Sequence, residues 1–265
     1  MNSYQGRIIW ITGASSGIGE ALVYLLAELG AVIIASSNCK KGLYEVKERC
    51  GSNSKRVYIA CFDLSETGNI EVLVKEQIEL HGRIDILINL GGISQRATIE
   101  ETPLAIDRKI MEINYFGTIA LTKAVLPYMI EQKDGYILAT SSISGRFGFP
   151  LRSAYSASKQ AIHGFYETLH IENKGNNVRA SVIIPGRVKT RISYHALDAS
   201  GKEHGKMDAG LAGGISPERA ARMILRGMKR NKREILVGGK ELLMLYIRKF
   251  FPRIFFNIAG KIKPE

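Results

Sequence analysis

The chain has 265 residues, 45% of them apolar and 23% charged, with a formal net charge of +12. That length suits one large domain or two small ones, and the balance is ordinary for a soluble globular protein. Three widely spaced cysteines, Cys39, Cys50 and Cys61, with no C-x-x-C pair, exclude a disulfide framework and a structural zinc site, so a cytoplasmic location is expected.

Residues 1–7 carry no basic and apolar leader of the secretory kind and run into a strand at 8–11. A glycine-rich turn follows, then a helix over 20–29 ended by Gly30. The second strand is 32–34, followed by a charged helix at 43–49. The third strand is 57–60, with a helix from about 66 to 80. The fourth strand is 84–89, and 103–128 carries one or two long helices. The fifth strand is 136–138, a helix spans 155–172, and the sixth strand is 178–184. Ser216, Pro217 and Glu218 supply a cap, a first-turn proline and a first-turn acid for another helix. A seventh strand lies at 235–237. Near-continuous apolar strands alternating with helices predict an α/β fold, a parallel sheet covered on both faces in a single doubly wound domain over 1–265. Such sheets bind ligands at the carboxyl ends of their strands.

The turn after the first strand reads Thr12-Gly13-Ala14-Ser15-Ser16-Gly17-Ile18-Gly19. Gly13 permits the sharp turn, Gly17 lets backbone approach a pyrophosphate, and Gly19 lets helix and strand pack closely. The helix start offers N–H groups and the positive end of its dipole to phosphate, so Gly13, Ser15, Ser16, Gly17, Ile18 and Gly19 are candidate dinucleotide contacts. At the end of the second strand, where an NAD-binding fold usually carries an acid, the chain reads Ala35-Ser36-Ser37-Asn38-Cys39-Lys40-Lys41. No carboxylate is there to repel a 2′-phosphate. Ser37 and Asn38 can donate to one, and Lys40 or Lys41 can supply charge, so NADP(H) is expected, with NAD(H) as the alternative.

Tyr155 and Lys159 stand four residues apart on a predicted helix and so share a face. Lowering a phenol from near 10 to near 7 takes about 4 kcal/mol. A cation about 4 Å away at an effective dielectric near 20 supplies about that much. Ser142, thirteen residues upstream, can hydrogen-bond a substrate oxygen as its charge changes. Asn114 can orient a water for a proton relay.

Together these motifs resemble the short-chain dehydrogenases/reductases over about residues 6–238. The matched residues are the glycine turn, Asp63-Leu64, Asn89, Asn114, Ser142, Tyr155-x-x-x-Lys159 and Pro185-Gly186-Arg187-Val188-x-Thr190. The resemblance implies a Rossmann-like seven-stranded sheet in the order 3-2-1-4-5-6-7. It implies a catalytic tetrad of Asn114, Ser142, Tyr155 and Lys159, with Tyr155 the acid in reduction and Lys159 also holding the nicotinamide ribose. Asp63 would contact adenine and the Pro185-Gly186 segment would border the nicotinamide; Leu64, Asn89, Gly91, Val188 and Thr190 fall in cofactor-binding positions. One departure is Leu90, where the family usually has a second asparagine after Asn89. A narrower resemblance, in Gly91-Gly92-Ile93-Ser94-Gln95-Arg96, in the segment 111–117 and in Phe149-Pro150-Leu151-Arg152-Ser153-Ala154-Tyr155, is to the branch of dehydrogenase/reductase member seven and its seven-B relatives. That branch implies a lipid-like or otherwise apolar carbonyl substrate. The family also implies a homodimer or homotetramer.

Residues 191–215 are polar and glycine-rich and are placed for a substrate flap. Residues 240–265 mix apolar runs with Arg248, Lys249, Arg253, Lys261 and Lys263. Pro252 breaks any helix there, and no apolar run reaches the ~20 residues of a membrane span. This tail is expected either to lie on an anionic membrane surface as a peripheral contact or to cover an apolar substrate entrance, or else to pack on the protein's own core or a subunit interface. Residues 201–265 hold 15 Lys and Arg against 6 Asp and Glu, so the basic excess is C-terminal. No nucleic-acid-binding motif accompanies it, and the five histidines show no metal-ligand spacing. A carbonyl or alcohol oxidoreductase is the leading expectation. The alternatives are a non-catalytic NADP(H)-sensing module and a membrane-surface protein.

Overall fold

The structure, a computed structural model, describes residues 4–259. Seven strands form one parallel sheet: β1 (Ile8–Thr12), β2 (Val32–Ser36), β3 (Val57–Ile59), β4 (Ile86–Asn89), β5 (Gly135–Thr140), β6 (Val178–Pro185) and β7 (Glu234–Val237). Their order is β3-β2-β1-β4-β5-β6-β7, as the resemblance implied. All five residues of β1 and all four of β4 are buried, the pattern of a sheet covered on both faces.

The crossovers carry the helices: α1 (Gly17–Glu28), α2 (Lys40–Arg49), α3 (Ile70–His81), α4 (Leu104–Met111), α5 (Gly117–Glu131), α6 (Ser153–Glu172), α7 (Ala209–Ala212) and α8 (Pro217–Lys229). After β7 come α9 (Leu243–Phe250) and α10 (Pro252–Ala259). Of the one or two helices expected over 103–128 there are two, joined by a π-helical turn, Glu112–Phe116, with Asn114 at its centre. The capping cue at Ser216 is real: its hydroxyl accepts a hydrogen bond from Arg219 N.

Two compact units share these elements. Of the described residues, one unit holds 4–92, 116–139 and 165–181, and the other 93–115, 140–164 and 182–259. In the first, register pairs Thr12 with Ser36 on one side and with Asn89 on the other. The carboxyl ends of β1, β2 and β4 therefore deliver Gly13, Ser37 and Leu90 to one edge. In the second, Pro185 pairs with Val237, and the tail folds back on its own unit. Phe255 and Ala259 of α10 are buried with Phe147, and Met244, Leu245 and Ile247 of α9 pack against them. The apolar tail residues thus divide between an inward face and an exposed one with Phe250, Phe251, Ile254 and Phe256. Lys261 and Lys263, expected to contribute to the basic tail, lie outside the described residues. No helix among the described residues is long and apolar enough to cross a membrane.

Candidate active site

In the first unit the glycine turn is shaped by contact as well as conformation. Gly13 and Gly17 sit at φ +65° and +58°, where a side chain is strained. A Cβ on Gly13 would lie 2.8 Å from Gly91 N, and one on Gly19 only 2.1 Å from Gly13 O. Thr12 Oγ1 accepts from Leu90 N and Gly91 N at 3.0 and 3.1 Å. The turn after β1 is thereby tied to the loop after β4 by the Thr12 hydroxyl and two backbone amides, and Leu90 takes part without an asparagine side chain. Ser16 precedes α1 without capping it, so no side chain of its own occupies the first-turn amides. That donor set suits the pyrophosphate of a dinucleotide.

The neighbouring residues are partly committed to one another. Ser15 and Ser37 hydroxyls lie 2.9 Å apart, and Asn38 Nδ2 donates to Asp63 Oδ2 at 3.0 Å. Asp63 Oδ1 also accepts from the backbone and hydroxyl of Ser65. Lys41 pairs loosely with Glu45 at 3.9 Å. Lys40, the first residue of α2, is exposed and has no carboxylate partner among the described residues. Leu64 is buried. The Asn89 amide is turned inward and donates to Thr122 Oγ1 at 3.2 Å and Tyr166 Oη at 3.0 Å. Any part that Asn89 has in holding a cofactor therefore falls to its backbone.

In the second unit, Ser142, Tyr155 and Lys159 come together. Ser142 follows β5, accepts from Ser144 N at 3.2 Å and is close enough to the Tyr155 phenol to pull its pKa down. Ser141 fixes the same turn to α6 by donating to Lys159 O at 2.7 Å. Lys159 Nζ donates to Thr140 O at 3.1 Å and lies 5.8 Å from the centre of the Tyr155 ring. Burial lowers the Lys159 ammonium from 10.5 to about 8. Burial also raises the Tyr155 phenol, against the lowering pull of Ser142, Arg152 and Arg96.

This differs from the expected electrostatics. The lysine does not acidify the phenol here, because desolvation dominates both groups and Lys159 loses its own proton first. Asn114 is fully buried and its amide is spent on structure. Nδ2 donates to Ile93 O and Ser158 Oγ at 2.9 and 3.0 Å, and Oδ1 accepts from Ile93 N at 2.8 Å. Ser158 in turn donates to Tyr155 O. The Asn114 amide thus ties Ile93 to α6 through Ser158, and its π turn is of the kind often found at functional sites.

The buried charge on Lys159 leads to a stability prediction. Its folded pKa lies below the ordinary value, so the folded state holds fewer protons between about pH 8 and 10.5. The destabilisation is full below about pH 8 and fades as pH rises toward 10.5. Lys159→Met should therefore raise stability at pH 7 by about 1–3 kcal/mol while removing most activity. Denaturant melts at pH 7 and pH 10 check this, since the advantage should shrink at the higher pH.

Several residues escaped sequence reasoning. Arg96 and Arg152 both clasp Asp208: Arg96 Nη2 to Oδ2 at 2.6 Å, Arg96 Nε to Oδ1 at 3.1 Å and Arg152 Nη2 to Oδ2 at 2.8 Å. All three are buried. Asp208 belongs to the predicted flap, which is therefore an anchored segment rather than an open loop. Burial, then repulsion by Arg96, lowers Arg152 to about 10. Gln95 Oε1 accepts from Ala154 N at 3.0 Å and so caps the first turn of the helix bearing Tyr155. Beyond β6, Glu241 accepts from the backbone of Arg187 and Gly239 at 2.8 and 2.9 Å, bracing the Pro185–Gly186 segment. A Cβ on Gly186 would lie 2.3 Å from that carboxylate. Val188 is buried and bridges to Ile215, and Thr190 precedes a short 3-10 turn. His195, a flap residue, faces solvent and meets Glu203 at 2.9 Å.

A family model described as short chain dehydrogenase matches residues 7–200. The mouse protein "Dehydrogenase/reductase SDR family member 7B" is 38% identical, aligned over 98% of this chain and 83% of its own length. The Anopheles gambiae "Dehydrogenase/reductase SDR family protein 7-like" is also 38% identical, over 97% of this chain and 83% of its length. Among solved structures, a short chain dehydrogenase/reductase from Burkholderia phymatum in complex with NAD superposes with a TM-score of 0.84 at 21% identity. It covers 100% of this chain and 98% of that one, a likeness of fold.

Proposed function

The chain belongs to the short-chain dehydrogenase family of NAD(P)-dependent oxidoreductases, and from that premise we propose that it interconverts a carbonyl and an alcohol with NADP(H), on a lipid-like or otherwise apolar substrate. The observation that carries the reading is the buried Tyr155 phenol, with Ser142 acting on it and Lys159 beside its ring. When bound, the nicotinamide supplies hydride to the carbonyl carbon in reduction and takes it back in oxidation. Tyr155 gives its proton to the carbonyl oxygen as that carbon is reduced. Burial holds the phenol above its ordinary value, so the acid form is present throughout the neutral range. The Ser142 hydroxyl and the field of Arg152 and Arg96 stabilise the phenolate left behind. Lys159, carrying a proton with a pKa of about 8, is the adjacent group able to restore it. Asn114 acts through Ser158 on the Tyr155 backbone and not on substrate.

The preference for NADP(H) rests on Lys40 at the start of α2 and on the absence of an acid at positions 37 and 38. An exposed charge contact of this kind is worth about 1 kcal/mol. Lys40→Glu should weaken NADPH binding about tenfold and leave NADH within about twofold, read by cofactor titration. Equal losses for both cofactors would remove this basis for selectivity. We read the two units as one catalytic domain that assembles as a homodimer or homotetramer. The exposed Phe250, Phe251, Ile254 and Phe256 beside Arg248, Lys249 and Arg253 favour peripheral contact with an anionic membrane.

The direct test follows NADPH absorbance with a panel of apolar ketones, with NADH in parallel. Turnover with at least one ketone is expected. Tight NADPH binding without turnover on any ketone or alcohol would favour the alternative, a non-catalytic cofactor-sensing module.

A further inference from the structure

Between Glu218 and Glu234 the chain carries seven Lys and Arg and no acid. Five of them, Arg219, Arg222, Arg226, Lys229 and Arg230, lie along α8 or at its C-terminal cap, and all five are exposed. At 3.6 residues per turn they fall within about 100° of arc and spread over about 16 Å of helix. The opposite side of α8 is buried through Ala221, Ile224, Leu225 and Met228. Gly227 lies so close to β7 that a Cβ there would stand 2.5 Å from the Ile235 side chain. Since β7 is the last strand of the sheet, α8 covers that end with its basic face turned outward.

This face works against the helix that carries it. Arg222 and Arg226 stand at i and i+4, as do Arg226 and Arg230, and like charges at that spacing repel. Arg219 stands in the first turn, where the helix dipole disfavours a cation. Among the described residues none of the five meets a carboxylate in an ion pair, and Arg222 acts on Glu218 without pairing with it. Other exposed helices of the chain are built differently. In α2 Lys41 and Arg49 both pair with Glu45, and in α3 Lys75 pairs with Glu79, each at a four-residue spacing. The uncompensated face of α8 therefore suits a partner of dense negative charge. A second copy docking isologously would set the stripe against itself. The stripe has no aromatic side chain on which bases could stack, and the same unit exposes Phe250, Phe251 and Ile254, which a bilayer takes up. We propose that the basic face of α8 is a second membrane-docking surface, lying flat on an anionic bilayer through the lipid headgroups without inserting. The choice of a bilayer rests on the tail contact proposed above, and the two surfaces are tested separately.

The experiment is flotation of the full chain with phosphatidylcholine vesicles, with and without phosphatidylserine, at about 0.05 and 0.5 M salt. Binding is expected to be at least tenfold tighter to the anionic vesicles and to fall at least tenfold at the higher salt. Arg222→Gln combined with Arg226→Gln should weaken it about tenfold. That variant should melt no lower than wild type, because a repulsion has been removed. Arg222→Lys combined with Arg226→Lys should bind within about twofold of wild type, because a bilayer responds to charge and not to the guanidinium shape. Phe250→Ser combined with Phe251→Ser tests the tail alone, and the loss caused by the glutamine changes should persist in that background. The proposal is overturned if wild type ignores anionic vesicles, if the glutamine variant binds them as wild type does, or if a DNA or RNA duplex binds the stripe more tightly than the vesicles do. A loss confined to the serine variant would remove the α8 surface and leave the tail contact standing.

Discussion

Tyr155→Phe should lower kcat for carbonyl reduction by about a thousandfold and leave the dissociation constant of NADPH within about threefold. The ring that fills the site remains, and only the proton donor goes. A positioned general acid is worth roughly 10²–10⁴ in rate, and this one is buried with Ser142 acting on its phenol, so its loss should fall within that range. The two reaction directions should also respond differently to pH. Reduction needs the phenol, which burial keeps protonated, so its rate should change little between pH 6 and 8. Oxidation needs the phenolate, so its rate should climb with pH over the same interval. Steady-state kinetics in both directions test both statements. Wild-type reduction rates in the phenylalanine variant would remove Tyr155 from the mechanism.

The second large effect should come from Asp208→Ala. Asp208 sits between two buried guanidinium groups. Breaking a buried ion pair by deleting one partner costs about 3–5 kcal/mol, because the charge left behind is uncompensated. Here two cations are left, and they already repel each other enough to lower Arg152. For a chain of this size the loss corresponds to a fall of about 10 °C in Tm. Asp208→Asn should lie between, since the amide keeps one acceptor. At a temperature where the variant remains folded, Arg96 and Arg152 would act unscreened on Tyr155. The pH profile for alcohol oxidation should then shift to lower pH, a change that flap disorder alone would not produce. Thermal melts and pH-rate profiles decide the matter, and a Tm within 2 °C of wild type would remove Asp208 as the anchor of the flap.

Several elements were readable in the linear chain because their signals are local. Apolar strands alternating with helices announce a parallel sheet. Gly13, Gly17 and Gly19 mark a turn that backbone geometry demands within eight residues. Tyr155 and Lys159 share a helix face through a spacing of four. Even the break at Pro252 follows from one ring and one missing N–H.

Other features had no local signal. Arg96, Arg152 and Asp208 meet across separations of 112 and 56 residues, and a charged residue carries no mark of the partner it will find. Gln95 caps a helix that begins 58 positions later, and Glu241 braces a segment 54 positions before it. The electrostatics of Tyr155 and Lys159 were also beyond spacing. A four-residue interval says that two side chains are neighbours, but not that both are buried or that the ammonium turns to the Thr140 carbonyl. The residue types and intervals were enough to define the fold and the chemical groups at hand. Desolvation exists only once the chain has closed around those groups, so their protonation states and long-range anchors were decided by the folded packing.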